Sequence, residues 1–102
     1  MKPCLLIPCF DHGAPLRGVL ESLAPYNLPC LVVDDGSAPE TQEALARAER
    51  ELPFVRLHRL ARNAGKGVAL ASGYRLAASQ GFTHALQMDA DGQHDAAAVP
   101  AF

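Results

Sequence analysis

The sequence predicts a single α/β domain built on a parallel sheet, because short apolar runs alternate with helical patterns along its 102 residues. Continuous apolar runs at 4–7 and 31–33 are typical of strands that are buried on both faces. Residues 54–60 alternate between apolar and polar side chains, which indicates a half-exposed strand. A fourth run at 83–88 completes the order β-α-β-α-β-α-β.

Amphipathic spacing predicts three helices between these strands. The first two apolar stripes consist of Leu16, Val19, Leu20 and Leu23, and of Thr41, Leu45, Ala48 and Leu52. Residues 37–40 have the pattern of a capping box before the second helix. Residues 69–79 are rich in good helix formers, and Gly81 is placed to end this third helix.

The half-exposed third strand belongs at an edge of the sheet, so we predict the strand order 3-2-1-4 in a three-layer architecture. Ligands of open α/β sheets bind at the carboxyl ends of the strands, beside the point where the strand order reverses. That point lies between strands 1 and 4. The segments that leave the strands at this edge are 8–11, 34–37 and 89–93, and they contain five carboxylates.

Composition excludes several classes of protein. Nine basic against eleven acidic residues give a formal net charge of −2, which leaves no basic excess for nucleic-acid binding. No apolar run approaches the roughly 20 residues of a membrane-spanning helix. Cys4, Cys9 and Cys30 show no CxxC spacing, and three cysteines cannot pair completely, so we expect free thiols in a reducing cytosol.

The pair Asp89 and Asp91 is the sharpest chemical signal in the sequence. Two carboxylates at i and i+2, just past a strand, can turn toward one hard cation such as Mg²⁺ or Mn²⁺. Gln93 could add a neutral oxygen ligand, and His94 is close in sequence. A polar turn without a metal is the alternative interpretation, because Asp and Gly are common turn residues.

Two further segments could contact an anionic nucleotide. Asp34 and Asp35 end a strand, and the repulsion between them requires partners, which a bound nucleotide could supply; a turn with Gly36 and a Ser37 cap is the alternative. Residues 63–67 lack the Walker A pattern, but they place backbone N–H groups and one lysine before a helix. A solvated loop is the alternative there.

Taken together, four segments resemble the motifs of family 2 glycosyltransferases, which have a Rossmann-like GT-A fold. The matching segments are 5–11, 32–37, 63–67 and 86–94, in the order of the family and over almost the whole chain. The last segment, with Asp-Ala-Asp followed by Gln-His, is similar to the branch of dolichyl-phosphate mannosyltransferases. The resemblance implies metal-dependent transfer of a sugar from a UDP- or GDP-linked donor, in cell-envelope or lipid-linked glycan synthesis.

The resemblance also implies a set of site residues. The nucleotide-sugar site would comprise Pro8, Phe10, Asp11, Asp35, Asn63, Lys66 and Asp89, with Pro8, Phe10 and Asp35 on the base. The metal site would comprise Asp89, Asp91 and Gln93. The metal would act as a Lewis acid on the departing nucleoside diphosphate.

Catalytic domains of this family are longer than this chain. We therefore expect the chain to be the donor-binding half of such a domain, 1–102, with the catalytic base beyond residue 102 and no turnover on its own. We expect a cytoplasmic protein, at the inner face of the membrane where the acceptor is lipid-linked. The strand at 83–88 would be an unpaired apolar edge, which predicts homo-oligomers joined there.

Two other families share single motifs with this chain. Residues 86–92 resemble the nucleophile motif of haloacid-dehalogenase-type phosphatases, with Asp89 as the nucleophile, but that motif belongs on a first strand. Residues 32–35 resemble the acid pair of receiver-type signalling modules, which also follows a first strand. The strand that each motif follows in the chain therefore distinguishes a glycosyltransferase from these two alternatives.

Overall fold

The computed structural model describes residues 2–11 and 13–88, and its four strands form one parallel sheet in the order β3-β2-β1-β4. The elements are β1 (Pro3–Cys9), α1 (Gly13–Leu23), a 3₁₀ turn (Ala24–Tyr26), β2 (Cys30–Asp34), α2 (Pro39–Glu51), β3 (Val55–Arg59), α3 (Lys66–Ser79) and β4 (His84–Gln87). The predicted α/β class, element order and strand order are confirmed.

Strand β1 lies at the centre of the sheet because it is apolar enough to be buried on both faces. Leu5 is in register with Cys30 of β2 on one side and with Leu86 of β4 on the other. All five residues of β2 are buried as well. Strand β3, in which buried Val55 is followed by exposed Arg56, forms the outer edge beside β2.

Helices cover the two faces of the sheet and complete three layers. Helices α1 and α2 pack on the face that carries Leu5 and Ile7. Helix α3 packs on the opposite face against Leu6 and Val33, and Gly73 brings it close, because a Cβ there would overlap the Leu6 side chain. Successive side chains of β1 and β2 point to opposite faces, so Leu5 and Ile7 pack under α1 and α2 while Leu6 and Val33 pack under α3.

The two predicted helix ends have different outcomes. The prediction of a capping box at 37–40 is wrong. The N-cap residue of α2 is Ala38, which has no side-chain oxygen to accept a hydrogen bond from the first turn, and Pro39 lies in that turn. The end of α3 agrees with the prediction, since Gly81 has a positive φ of 87°. The N–H groups of Gly81 and Phe82 donate to carbonyls of the last turn, as in a Schellman motif.

The three cysteines are free, as expected, and all three are buried. Burial raises the pKa of the Cys30 thiol from 9.0 to about 12, with a smaller contribution from Cys4. Cys30 therefore packs as a small apolar side chain of the core. Among the described helices, none combines the length and apolar character needed to cross a bilayer.

We predict that the Cys30 thiol makes the fold sensitive to alkali. The unfolded chain loses this proton near pH 9.0 and the folded chain near pH 12, so its contribution to stability is complete below pH 9.0 and is lost as pH rises toward 12. In that window Cys30→Ala should remove a slope of about 1 kcal/mol per pH unit from urea-unfolding free energies. Val32→Ala, on the same strand, should keep the wild-type slope; equal slopes in all three proteins would contradict the assignment.

Candidate functional site at the carboxyl edge of the sheet

The carboxyl ends of the first three strands meet at one edge of the sheet and are joined by backbone hydrogen bonds. The N–H of Asp35 donates to the carbonyl of Cys9 at 2.8 Å, which ties the end of β2 to the end of β1. The N–H of Leu60 donates to the carbonyl of Asp34 at 2.8 Å, which ties β3 to β2. The loops that follow these strands therefore start from fixed positions along this edge.

Asp35 holds the loop that precedes α3. Its Oδ1 accepts the N–H of Ala64 at 2.8 Å, and its Oδ2 accepts the N–H of Gly65 at 3.0 Å. The Asn63 amide donates to the backbone carbonyl of Asp35 at 3.1 Å and to Oδ2 at 3.3 Å. Asp35 is only 4% exposed, so these charge-assisted bonds form away from bulk water. The carboxylate thus sets the shape of the predicted anion loop at 63–67.

Gly36 allows this approach of the two loops. Its φ is 70°, in the left-handed region, and a Cβ there would overlap the backbone N of Asn63. Any other residue would have to push the 62–63 backbone away, which would break the bonds of the Asp35 carboxylate. The glycine is therefore required by backbone conformation and by close contact at once.

Asp34, the other acid of the pair, is completely buried and is neutralised within the chain. Arg59 Nε donates to its Oδ2 at 3.2 Å, and the N–H of Ser37 donates to its Oδ1 at 3.0 Å. The repulsion inferred from the sequence is therefore relieved by protein groups. Arg59 is the residue that sequence reasoning missed; its only signal was its position in β3, since Asp34 and Arg59 are partners in the β2–β3 register.

Asp11 caps α2 although it lies far from that helix in the sequence. It has a positive φ of 55°, its N–H donates to Ser37 Oγ at 3.0 Å, and its Oδ1 accepts the N–H of Ala38 at 2.8 Å. A carboxylate is favourable at a helix N-terminus, where unsatisfied N–H groups and the helix dipole concentrate positive charge. The Ser37 hydroxyl is engaged with Asp11, and this is why it does not form the predicted capping box.

The remaining predicted residues are distributed along the same edge. Pro8 is half-buried in β1 opposite Val33, and Phe10, just beyond β1, is 45% exposed. Lys66 is exposed and is the first residue of α3, directly after the loop held by Asp35. An exposed aromatic ring thus follows the buried strand β1, and an exposed ammonium group follows the loop that is bonded to Asp35.

The predicted metal ligands Asp89, Asp91 and Gln93, and His94 beside them, lie outside the described residues. The chain reaches the edge beside β1 at Met88, whose N–H donates to the carbonyl of Leu6 at 3.0 Å. Within residues 2–11 and 13–88, no group of three or more His, Cys, Asp or Glu side chains could hold a metal ion.

Comparisons with known proteins agree with this architecture. The model of the family described as "Glycosyl transferase family 2" matches residues 4–102. The chain belongs to glycosyltransferase family 2. No curated protein matched it in a separate comparison.

One similar solved structure is the mannosyltransferase PcManGT from Pyrobaculum calidifontis, in complex with GDP-Man and Mn²⁺. The two chains are 23% identical, with a TM-score of 0.71 over 88% of this glycosyltransferase chain. The match covers 27% of the PcManGT chain, so this chain spans about a quarter of that protein. The likeness shows a shared GT-A-type fold.

The family and the strand order also decide between the sequence alternatives. The acid pair at 34–35 follows β2, and the segment at 86–92 begins in β4, so neither motif follows the first strand. A receiver module and a haloacid-dehalogenase-type phosphatase both need that position. The glycosyltransferase interpretation accounts for all four motifs in one family.

We predict that Asp35→Asn destabilises the fold by about 1–3 kcal/mol, the cost of losing buried hydrogen bonds to a charged group. An Asn side chain has one acceptor oxygen, so its amide would oppose the N–H of Ala64 or Gly65. Urea unfolding measures the loss, and amide exchange should show faster exchange at residues 64 and 65.

The matched control is Glu43→Gln, which also removes one carboxylate. Glu43 is exposed on α2 and lies 4.0 Å from Arg50, so the change should stay within about 0.5 kcal/mol. Equal stability of the Asp35→Asn and Glu43→Gln proteins would show that Asp35 does not hold the loop.

Proposed function

We propose that this chain binds the nucleotide-diphosphate sugar donor of a hexosyltransferase, at the carboxyl edge of its sheet. The observation that supports this most is the junction at Asp35, which joins the ends of β1 and β2 to the loop before α3. This edge includes the reversal point between β1 and β4, where open α/β sheets bind ligands. The solved complex of PcManGT with GDP-Man supports a UDP- or GDP-linked sugar as the ligand.

In this proposal each part of the edge has a different task. The exposed Phe10 ring and Pro8 form an apolar wall for the base, and Asp35 accepts hydrogen bonds from the base. A carboxylate offers about four lone-pair sites, and Ala64, Gly65 and Asn63 occupy three of them, so Asp35 can accept one further bond, from the base. Asn63 and Lys66 lie on the loop that would face the diphosphate.

Asp11 contributes through position as well as charge. Its two bonds to Ser37 and Ala38 hold the loop after β1 against the start of α2. Phe10 immediately precedes it, so the same bonds restrict where the aromatic ring can lie. We assign Asp11 to the nucleotide-sugar site on this ground.

We propose that Asp89, Asp91 and Gln93 hold the divalent metal ion, Mg²⁺ or Mn²⁺. The donor set fits such an ion, because two carboxylates and an amide oxygen are hard ligands. Met88 brings the chain to the edge beside β1 immediately before these residues. When bound, the metal supplies Lewis-acid stabilisation of the charge on the nucleoside diphosphate. The Mn²⁺ in the PcManGT complex supports this assignment.

The acceptor is proposed from the motif at 86–94, which resembles the dolichyl-phosphate mannosyltransferases. On that basis the sugar would be transferred to a lipid-linked acceptor in glycan or cell-envelope synthesis, at the cytoplasmic face of a membrane. This chain would contribute donor and metal binding, while the base that activates the acceptor hydroxyl would come from other residues.

Calorimetry with UDP, GDP and their sugars tests the donor and metal assignments together. We expect Mn²⁺ or Mg²⁺ to strengthen nucleotide binding to the wild-type chain, because Asp91 would help to hold an ion whose charge would offset that of the diphosphate. Asp91→Asn should remove most of this enhancement with no change in the circular dichroism spectrum.

Asp95→Asn is the matched control, since it removes a carboxylate from the same segment but not from the proposed ligand set. It should keep the enhancement by metal. Equal nucleotide affinity with and without metal in the wild-type chain would refute the metal site, and no binding of any nucleotide would refute donor binding.

We also propose that the chain self-associates through β4. Among the described strands, β4 pairs only with β1, and its other edge offers unpaired backbone groups beside the partly buried Leu86. Light scattering over a concentration series should show dimers or larger species, with slowed amide exchange in residues 84–87. A monomer at high concentration would contradict this proposal.

A further inference from the structure

Charge is distributed unequally along this chain. Residues 52–88 contain no Asp or Glu but five cations, which are Arg56, Arg59, Arg62, Lys66 and Arg75. Arg59 is bonded to Asp34 and to the carbonyl of Gln42 in α2, so it does not add to the charge of the α3 side. Helices α1 and α2, on the other face of the sheet, contain five glutamates and three arginines. The α3 side of the molecule is therefore positive although the whole chain has a net charge of −2.

A groove lies on this positive side, between β3 and α3. Helix α3 packs on β1 and β2, so it does not cover the outer strand β3. In the β2–β3 register His58 lies opposite Val33, whose side chain contacts the α3 layer, so His58 lies on the α3 face. The groove is open to solvent and has a volume of about 380 Å³. Its lining residues are His58, Ser72, Arg75, Leu76 and Ser79.

Three of the four polar side chains of this groove are not engaged by the part of the chain that the structure describes, while the fourth, Ser79, donates its hydroxyl to the carbonyl of Leu76 at 2.7 Å. Across residues 2–11 and 13–88, the Arg75 guanidinium, the His58 ring and the Ser72 hydroxyl form no hydrogen bond or ion pair with one another or with other groups. Arg56, by contrast, donates to Gln80 Oε1 at 2.7 Å and lies over the Phe82 ring. The Arg75, His58 and Ser72 side chains thus offer hydrogen-bond donors to this groove that no described residue occupies.

We propose that this groove binds a phosphate group, carried by a small soluble ester or by a lipid headgroup. Arginine presents a planar fork of N–H donors that matches two phosphate oxygens, and the His58 and Ser72 side chains can each donate one further bond. Leu76 gives the groove an apolar wall for the organic part of the ligand. No carboxylate from residues 52–88 opposes a dianion here, and the acid that bonds the neighbouring strand residue, Glu49 on the N–H of Leu57, belongs to α2.

This site is separate from the proposed donor site. Lys66 begins α3 at the donor edge, whereas Ser72, Arg75 and Ser79 follow it by six, nine and thirteen residues. At 1.5 Å per residue, Arg75 lies roughly 13 Å along the helix from Lys66. The proposal therefore holds whether or not the donor site binds a nucleotide sugar.

Nuclear magnetic resonance of the ¹⁵N-labelled chain tests the groove, with sodium phosphate titrated against sodium chloride at equal ionic strength. We expect phosphate to shift the signals of residues 58, 72, 75 and 79, and the Arg75 Nε signal among them. Arg75→Gln should weaken this binding roughly tenfold or more, because it removes hydrogen bonds to a charged group. Arg47→Gln, an exposed arginine of α2 on the other face, should leave it unchanged.

Two further titrations distinguish a soluble ester from a lipid headgroup as the source of the phosphate. Glycerol phosphate in solution represents a soluble ester, and vesicles of phosphatidylglycerol in phosphatidylcholine represent a headgroup at a surface. A response to one of these two ligands that is lost in Arg75→Gln but kept in Arg47→Gln supports the groove. The ligand that gives this response identifies the source of the phosphate. The proposal is overturned by shifts confined to residues 35 and 63–66, by an equal response to chloride, or by an unchanged response in Arg75→Gln.

Discussion

The Asp35 carboxylate is the interaction on which the carboxyl edge of this sheet depends. It accepts two backbone N–H groups from a loop about thirty positions later in the chain, and its own N–H bonds the end of β1. Asp35 thus joins three segments that are distant in sequence, through its side chain and its backbone N–H. Because it is buried, each of these bonds is stronger than it would be in water, and each would leave a costly unsatisfied group if broken.

A second buried carboxylate, that of Asp34, stabilises the turn that follows Asp35. Asp34 binds Arg59 of the neighbouring strand and the N–H of Ser37, which fixes the turn through Gly36. The neighbouring acids therefore face different partners and perform different tasks. Removing a partner from a buried charge is much more costly than removing an exposed ion pair, so the turn has little freedom to rearrange. A rigid edge of this kind suits a site that must orient a long, flexible ligand.

Much of the fold was accessible from the sequence because its signals are local. Continuous apolar runs indicate the central strands, and the alternation at Arg56 and His58 indicates that β3 lies at an edge, as it does. The errors arose where tertiary contacts compete with local patterns. The Ser37 hydroxyl bonds Asp11 instead of capping α2, and the pairing of Asp34 with Arg59 depends on a strand register that no local pattern contains. The positions proposed to hold the metal, 89–93, stay a prediction.

The central position of β1 has a consequence for the order in which this chain can fold. Strand β1 pairs with β4, so Leu5 gains a partner on its second side only when Leu86, some eighty residues later in the chain, has joined the sheet. Contacts so distant in sequence slow folding, because chain entropy is lost before they form. During synthesis the β1–β2–β3 sheet can assemble early, with one flank of β1 open until β4 leaves the ribosome. Premature capture of that flank by another nascent chain is therefore the misfolding event to which this topology is most vulnerable.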